Sequence, residues 1–134
     1  MNTVKILIDW VPNNFAATLG DYSLACVATG DTLEEVKDNI VKAIKFHIEG
    51  LKLDGDSVPV QFSGKWSPCF ELSTRAQLKY CDLYITRKAL AKETGINEQQ
   101  LSHYANGQRH PRPSMQNRIA AGIRSISNRL NGIL

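Results

Sequence analysis

The chain lacks several features that whole classes of proteins require. No apolar run approaches the roughly 18 residues that a membrane-spanning helix needs, and no charged-then-apolar leader follows Met1. We therefore expect a cytoplasmic protein without a membrane anchor. The cysteines are few and include no C-x-x-C pair: they are Cys26, Cys69 and Cys81. Their odd number predicts free thiols in a reducing compartment.

Signals for catalysis or metal binding are also scarce. The histidines, His47, His103 and His110, do not combine with the cysteines at zinc-ligand spacing, and no glycine-rich phosphate loop occurs. Six carboxylates lie at strand ends, in turns or at the start of a helix, where turn and cap preferences already account for them: Asp9, Asp21, Asp31, Glu34, Glu35 and Asp38. We expect no catalytic residue, no metal and no cofactor; a nuclease-like enzyme that uses these carboxylates is the less favoured hypothesis.

Acidic residues are distributed unevenly along the chain. Residues 1–72 carry six Lys and Arg against ten Asp and Glu, a net charge of −4, whereas residues 73–134 carry ten against three, a net charge of +7. This asymmetry predicts a polyanionic partner for the second part and a cationic partner for the first. We place a domain boundary accordingly, with one domain at 1–72 and another at 73–134.

Hydrophobic alternation dominates the beginning of the first domain. Strands are predicted over 4–11, 15–19 and 22–29, with a turn at Pro12-Asn13-Asn14 between the first two. Three strands with short turns favour an antiparallel meander.

The hydrophobic period then changes to that of a helix. Thr32 and Glu35 have the spacing of a capping box, and apolar residues recur at three- and four-residue steps, which predicts an amphipathic helix over 32–52. A short strand over 58–62 and an extended segment over 69–72 complete the domain. The fold class is therefore α+β, a β-β-β-α-β domain followed by an all-α domain.

The second domain contains the pattern of two short helices joined by a tight turn. Thr86 is placed to cap a helix over Arg87–Thr94, Gly95 suits the left-handed turn that ends it, and Asn97 is placed to cap a helix over Glu98–Tyr104. The inward positions are apolar: Leu90, Ala91, Ile96, Leu101 and Tyr104. With the following Asn-Gly and Pro, this pattern resembles the Cro/repressor type of helix-turn-helix.

That arrangement exposes polar and basic side chains, which we predict to contact DNA. The outward residues of the second helix are of the types that read base edges in the major groove: Glu98, Gln99, Ser102 and His103. Residues on either side are predicted to contact phosphates: Arg87, Asn106, Arg109 and Arg112. A small helical bundle with the same core and no DNA is the alternative.

The last helix, from about Ser114, carries apolar residues at heptad-like spacing: Ile119, Ile123, Ile126, Leu130 and Ile133. They either pack on their own domain or pair with a second copy of the chain. We favour pairing for Ile126, Leu130 and Ile133, because a helix-turn-helix normally uses two copies to grip two half-sites.

A short meander followed by G-D-T-L-E-E-V-K-D-N-I-V-K-A-I at 30–44 resembles the N-terminal domain of HicB-type antitoxins. The resemblance covers nearly the whole chain. It implies a partial ribonuclease-H-like fold without an active site, a small basic HicA-like toxin as partner, and repression of the protein's own operon by a homodimer or tetramer. Predicted toxin contacts lie in the meander and its turns: Trp10, Asn13, Asn14, Phe15, Asp21 and Tyr22. The alternative function is a stand-alone transcriptional regulator whose first domain binds a ligand or oligomerises.

Overall fold

The computed structural model describes residues 1–21 and 23–134, so the predicted contact residue Tyr22 lies outside the described residues. The chain divides into two compact units, Met1–Ser73 and Thr74–Leu134. The first contains a sheet and a long helix and the second only helices, which confirms the mixed α+β class. None of the helices in these residues is both long enough and apolar enough to cross a membrane.

The first unit is a four-stranded sheet with one helix. Its strands stand in the order β3-β2-β1-β4, with β1 antiparallel to β2, β2 antiparallel to β3, and β4 parallel to β1. The elements in chain order are β1 (Asn2–Val11), β2 (Asn14–Leu19), β3 (Val27–Gly30), α1 (Leu33–Leu53), a 3₁₀ turn (Val60–Phe62) and β4 (Trp66–Leu72). The parallel pair follows from the crossover through α1, because a parallel strand cannot be reached by a tight hairpin.

Alternation along the strands builds the core of this unit. Val4, Ile6 and Ile8 are buried on one face of β1, and Phe15, Ala17 and Leu19 are buried on β2. Helix α1 packs on β2 and β3 and buries its own apolar stripe: Leu33, Val36, Ile40, Ile44 and Ile48. The predicted helix period and strand period are both confirmed.

Two predicted strands differ from the structure. The segment 58–62 is not a strand: Pro59, which lacks an amide hydrogen for a sheet, precedes a 3₁₀ turn, and the strand is β4. The strand predicted over 22–29 is reduced to β3, because the chain bends before it. The Asp21 carboxylate accepts a hydrogen bond from the Ser23 amide at 3.0 Å, a local side-chain turn that competes with strand pairing.

The junction of β3 and α1 is tightly packed. The Thr32 hydroxyl accepts from the Glu35 amide at 3.1 Å, and the Glu35 carboxylate accepts from the Asp31 amide at 3.0 Å. Gly30 lies so close beneath this turn that a Cβ at its position would be 2.5 Å from the Val36 amide nitrogen. The glycine of the motif at 30–44 is therefore required by close approach of a helix backbone.

The second unit is a bundle of four helices, α2 (Thr74–Cys81), α3 (Arg87–Thr94), α4 (Glu98–Ala105) and α5 (Pro113–Asn131). Its core consists of the buried residues Leu78, Leu90, Ile96, Leu101, Tyr104, Ala105 and Ile119. All four helices contribute, so the bundle has one continuous core.

Helices α3 and α5 cross closely at Gly122. This glycine is buried, and a Cβ there would collide with the methyl carbon of Thr94. The Thr94 hydroxyl donates to the Leu90 carbonyl at 2.8 Å and accepts from the Ile96 amide at 3.2 Å. A buried hydroxyl thus supports the turn between α3 and α4.

Along the last helix, exposure increases toward the C-terminal end. Ile123 and Ile126 are partly buried and pack on the core of their own unit, which supports the own-domain alternative for Ile126. Leu130, in the last turn of α5, is 55% exposed, and Ile133, which follows the end of the helix, is 80% exposed. These two apolar side chains therefore gain little burial from the unit that carries them.

We expect Gly30→Ala to destabilise the first unit by about 1–3 kcal/mol, since the added methyl group overpacks the start of α1. The matched control is Gly50→Ala in α1, where a Cβ meets nothing within 4 Å. It should instead stabilise this unit by about 0.5–1 kcal/mol through helix propensity.

Both tryptophans, Trp10 and Trp66, belong to the first unit. Denaturant unfolding followed by tryptophan fluorescence therefore reports this unit directly. Equal effects of the two substitutions would contradict the packing assigned to Gly30.

Candidate nucleic-acid interface

The turn between α3 and α4 is built by local hydrogen bonds. The Thr86 hydroxyl accepts from the Ala89 amide at 3.0 Å, and the Asn97 side chain accepts from the Gln99 amide at 2.8 Å. Gly95 ends α3 in the left-handed conformation, with φ of 72°. These observations confirm the two predicted caps and the predicted turn glycine.

Burial orients α4. Leu101, Tyr104 and Ala105 face the core, while Glu98 and Gln99 are exposed and Ser102 and His103 are half-buried. The four predicted base-contacting residues therefore share the side of α4 away from the core. We call this set (Glu98, Gln99, Ser102 and His103) the outward face of α4; its contact with bases stays a prediction.

One neighbouring polar residue points elsewhere. The Gln100 side-chain amide donates to the Tyr104 hydroxyl at 2.6 Å. The next turn of the helix thus satisfies this amide, which distinguishes it from the exposed Gln99.

Arg87, predicted to contact phosphate, is held within the protein. Its guanidinium donates from Nε and Nη2 to the two carboxylate oxygens of Asp82, at 3.0 and 2.8 Å, and from Nη1 to the Ser102 hydroxyl at 3.1 Å. The Arg87 side chain is only 17% exposed. Most of the donors and the charge of Arg87 are engaged within the protein, and its contact with phosphate stays a prediction.

Asn106, another predicted phosphate contact, is exposed at the end of α4. Its backbone amide donates to the Ser102 carbonyl at 3.0 Å, and the next amide, of Gly107, donates to the Tyr104 carbonyl at 3.4 Å. The Asn106 side-chain oxygen accepts from Lys79 at 3.5 Å. Gly107 follows with φ of 76°, and a Cβ there would be 2.7 Å from a guanidinium nitrogen of Arg75. The Asn106–Gly107 turn is thus flanked by two cations from α2.

Arg109 and Arg112 are exposed and lie together at a cleft beside α4. The cleft has a volume of about 410 Å³ and is lined by Gln100, Tyr104, Arg109, His110, Arg112, Ser114 and Met115. In the part of the chain that the structure describes, no carboxylate pairs with either arginine. Sequence reasoning missed His110 as a lining residue, although it belongs to the same basic loop.

Two other arginines of this unit have partners within it. Arg118 donates to the Thr94 carbonyl at 2.8 Å, and Arg129 pairs with Glu93 at 3.3 Å. The hydroxyl of Ser125, followed by Arg129, lowers the pKa of Glu93 by stabilising its carboxylate. Arg109 and Arg112 at the cleft beside α4 differ from these two arginines, because they are exposed and no ion pair within the described ranges includes them.

Among the described residues, the predicted toxin contacts of the first unit do not form one patch. Trp10, Asn13 and Asn14 lie together at the β1–β2 hairpin, where Pro12 and the left-handed Asn13 (φ 76°) make the turn. Because strands rise about 3.3 Å per residue, the length of β2 puts Asp21 roughly 20 Å away at the other end of the sheet.

Phe15 is 3% exposed and packs edge-to-face against Trp10, with ring centroids 4.9 Å apart. It is a core residue, since its side chain points to the face that α1 covers, and this corrects its assignment as a surface contact. The set that remains is Asn13 and Asn14 with Trp10, which we call the hairpin patch. Trp10 is half-buried and, as the cross-strand partner of Phe15, lies on the same face of the sheet.

Two carboxylates at strand ends of the first unit accept hydrogen bonds from neighbouring residues. The Asp9 carboxylate accepts from the Trp10 amide at 2.8 Å and from the Ser73 hydroxyl at 2.6 Å. Asp21 accepts from Ser23 and from Gln61, and the Ser23 amide is the main cause of its lowered pKa. Among residues 1–21 and 23–134, no three His, Cys, Asp or Glu side chains are placed to hold one metal ion.

Comparison with known proteins addresses the second unit. Residues 77–127 match the family model described as helix-turn-helix, and no curated protein matches the chain. The matched range begins within α2 and ends within α5, so it contains the capped turn, α4 and the basic cleft. This region is a helix-turn-helix domain of the Cro/C1 type, which indicates a DNA-binding transcription regulator.

Proposed function

We propose that this protein is an antitoxin that represses its own operon: the second unit binds operator DNA, and the first binds and neutralises a small basic HicA-like toxin. The observation that carries the proposal is the outward face of α4 beside an unneutralised basic cleft, within a helix-turn-helix domain. Face and cleft supply the two kinds of contact that specific DNA binding needs, to base edges and to phosphates.

Exposed apolar residues in the last turn of α5 and just after it support pairing of two copies. Leu130 and Ile133 are 55% and 80% exposed, and burying both in a symmetric contact would remove apolar surface from water. A dimer would carry two helix-turn-helix domains to half-sites about 34–36 Å apart on a palindrome.

The first unit is proposed as the toxin-binding part. The net charge of −4 over residues 1–72 favours a basic partner, since complementary fields accelerate association. The hairpin patch contains a tryptophan, a residue type that is enriched among the residues contributing most to protein–protein binding. We propose no catalytic role, because hydrogen bonds within the unit already occupy Asp9, Asp21 and Glu35.

Replacing Gln99 or His103 with alanine should relax sequence preference at one base pair by about 1–3 kcal/mol, since each removes a base-edge contact. The measurement is binding to an operator selected from randomised duplexes and to its single-base variants. Unchanged preference in both variants would exclude α4 as the recognition helix.

Replacing Arg109 with alanine should weaken binding to all sequences and reduce the salt slope, log K against log [salt], by about one. Arg124→Ala, an equal change of charge on α5 outside the basic cleft, is the matched control. We expect it to alter the slope less. If both variants behave alike, the cleft is not the phosphate-binding surface.

Co-expression with a small basic protein encoded beside this chain should restore growth and yield a stable complex. Trp10→Ala should weaken that complex about tenfold or more, as expected for an anchor residue. The control is Phe46→Ala, which removes an aromatic residue that is 80% exposed on α1. Absence of toxicity or of a complex would leave a DNA-binding regulator whose first unit has another role.

A further inference from the structure

The Arg87 side chain connects the start of α3 to the outward face of α4. Two nitrogens of its planar guanidinium meet the Asp82 carboxylate in the fork geometry of a bidentate pair. Its third nitrogen, Nη1, donates to Ser102 Oγ at 3.1 Å. Because the bidentate pair fixes the plane of the guanidinium, the direction of the third hydrogen bond is fixed as well.

This contact gives the Ser102 hydroxyl a polarity. A serine hydroxyl has one hydrogen to donate and two lone pairs to accept with. Here one lone pair faces a cationic donor, so the O–H hydrogen turns away from Arg87. A charge-assisted bond to the oxygen also polarises the O–H group and strengthens it as a donor.

The hydroxyl lies where a base edge would be met. Ser102 is half-buried and stands one helical turn after the exposed Glu98, on the outward face of α4. Acceptors in the major groove are N7 and O6 of guanine, N7 of adenine and O4 of thymine, whereas cytosine N4 and adenine N6 are donors. A hydroxyl with its hydrogen turned outward distinguishes the two groups.

We propose that Ser102 is a specificity-determining residue that donates its hydroxyl hydrogen to an acceptor on a base edge, and that Arg87 and Asp82 are positioning residues that fix this polarity. The inference rests on the proposed function, because it requires α4 to enter the major groove. It also explains why an arginine beside the DNA-binding face is neutralised by a carboxylate: the cation acts on Ser102.

The test uses the full chain and the operator selected from randomised duplexes. Each purine of the site is replaced in turn by its 7-deaza analogue, each guanine by an analogue that lacks O6, and each thymine by an analogue that lacks O4. To test the polarity, each cytosine and each adenine is also replaced by an analogue that lacks the N4 or N6 amino group. For the unaltered protein, one replacement opposite Ser102 should weaken binding about three- to tenfold, the effect of one hydrogen bond. Ser102→Ala should bind the normal operator correspondingly more weakly and show no further loss with that analogue, whereas Ser102→Thr, which keeps the hydroxyl, should retain the loss.

The positioning role has its own readout. We call the difference between the analogue effect in the presence of Ser102 and in Ser102→Ala the coupling of Ser102 to the base acceptor. Asp82→Asn should diminish this coupling. It should also steepen the salt slope, because the Arg87 charge is released. Glu93→Gln removes a carboxylate that also pairs with an arginine, Arg129, and should leave the coupling unchanged. Thermal unfolding of each variant separates these effects from loss of fold.

The failures are distinguishable. Absence of any sequence preference in the unaltered protein overturns the proposed function together with this inference. Specific binding with equal analogue losses in the unaltered protein and in Ser102→Ala overturns the inference alone. Coupling of Ser102 to analogues that lack the N4 or N6 amino group would show that the hydroxyl accepts, and would overturn the polarity.

Discussion

The burial of one side of α4 is the constraint on which the second unit depends. Leu101 and Ala105 have no exposed surface, and Tyr104 is 6% exposed, so rotation of the helix about its axis would bring apolar groups into water at about 25 cal/mol per Å². The opposite side is therefore presented in one orientation. Caps at the starts of α3 and α4 and the left-handed Gly95 fix where α4 begins. Rotation of α4 by half a turn about its axis would direct the outward face toward the core.

The helix-turn-helix was predictable because its determinants are local: Thr86, Gly95 and Asn97 act on amides within three residues of themselves or on their own backbone. The first unit shows where local signals fail. The segment 58–62 has the composition of a strand, yet Pro59 and the 3₁₀ turn exclude pairing, and β4 depends on a parallel partner far away in sequence. Likewise, Phe15 was assigned to a surface although its register with Gly30 places it under α1.

The positions of the site residues could be predicted from the sequence, but their hydrogen-bond and ion-pair partners could not. The sequence shows a cation at Arg87 but does not reveal that its guanidinium donates hydrogen bonds to Asp82 and Ser102, five and fifteen residues away. Arg109 and Arg112, in contrast, follow the end of α4 in sequence, and the short basic loop delivers them to the same cleft. Closeness in sequence thus predicts closeness in space within a short loop, but it does not predict contacts between different helices of a bundle. The separation of Asp21 from the hairpin patch is a further example. The turn before β2 and the turn after it lie at opposite ends of the sheet, so residues close in sequence are far apart in space.

The close crossing of α3 and α5 has a consequence for how this domain can vary. The Thr94 methyl group fills the space above Gly122, while its hydroxyl holds the Ile96 amide. An alanine at 122 therefore becomes acceptable only if position 94 loses the methyl and keeps the hydroxyl, which only serine provides. Threonine at 94 therefore requires glycine at 122, whereas serine at 94 permits either glycine or alanine there, so substitution at one position is restricted by the other although 28 residues separate them.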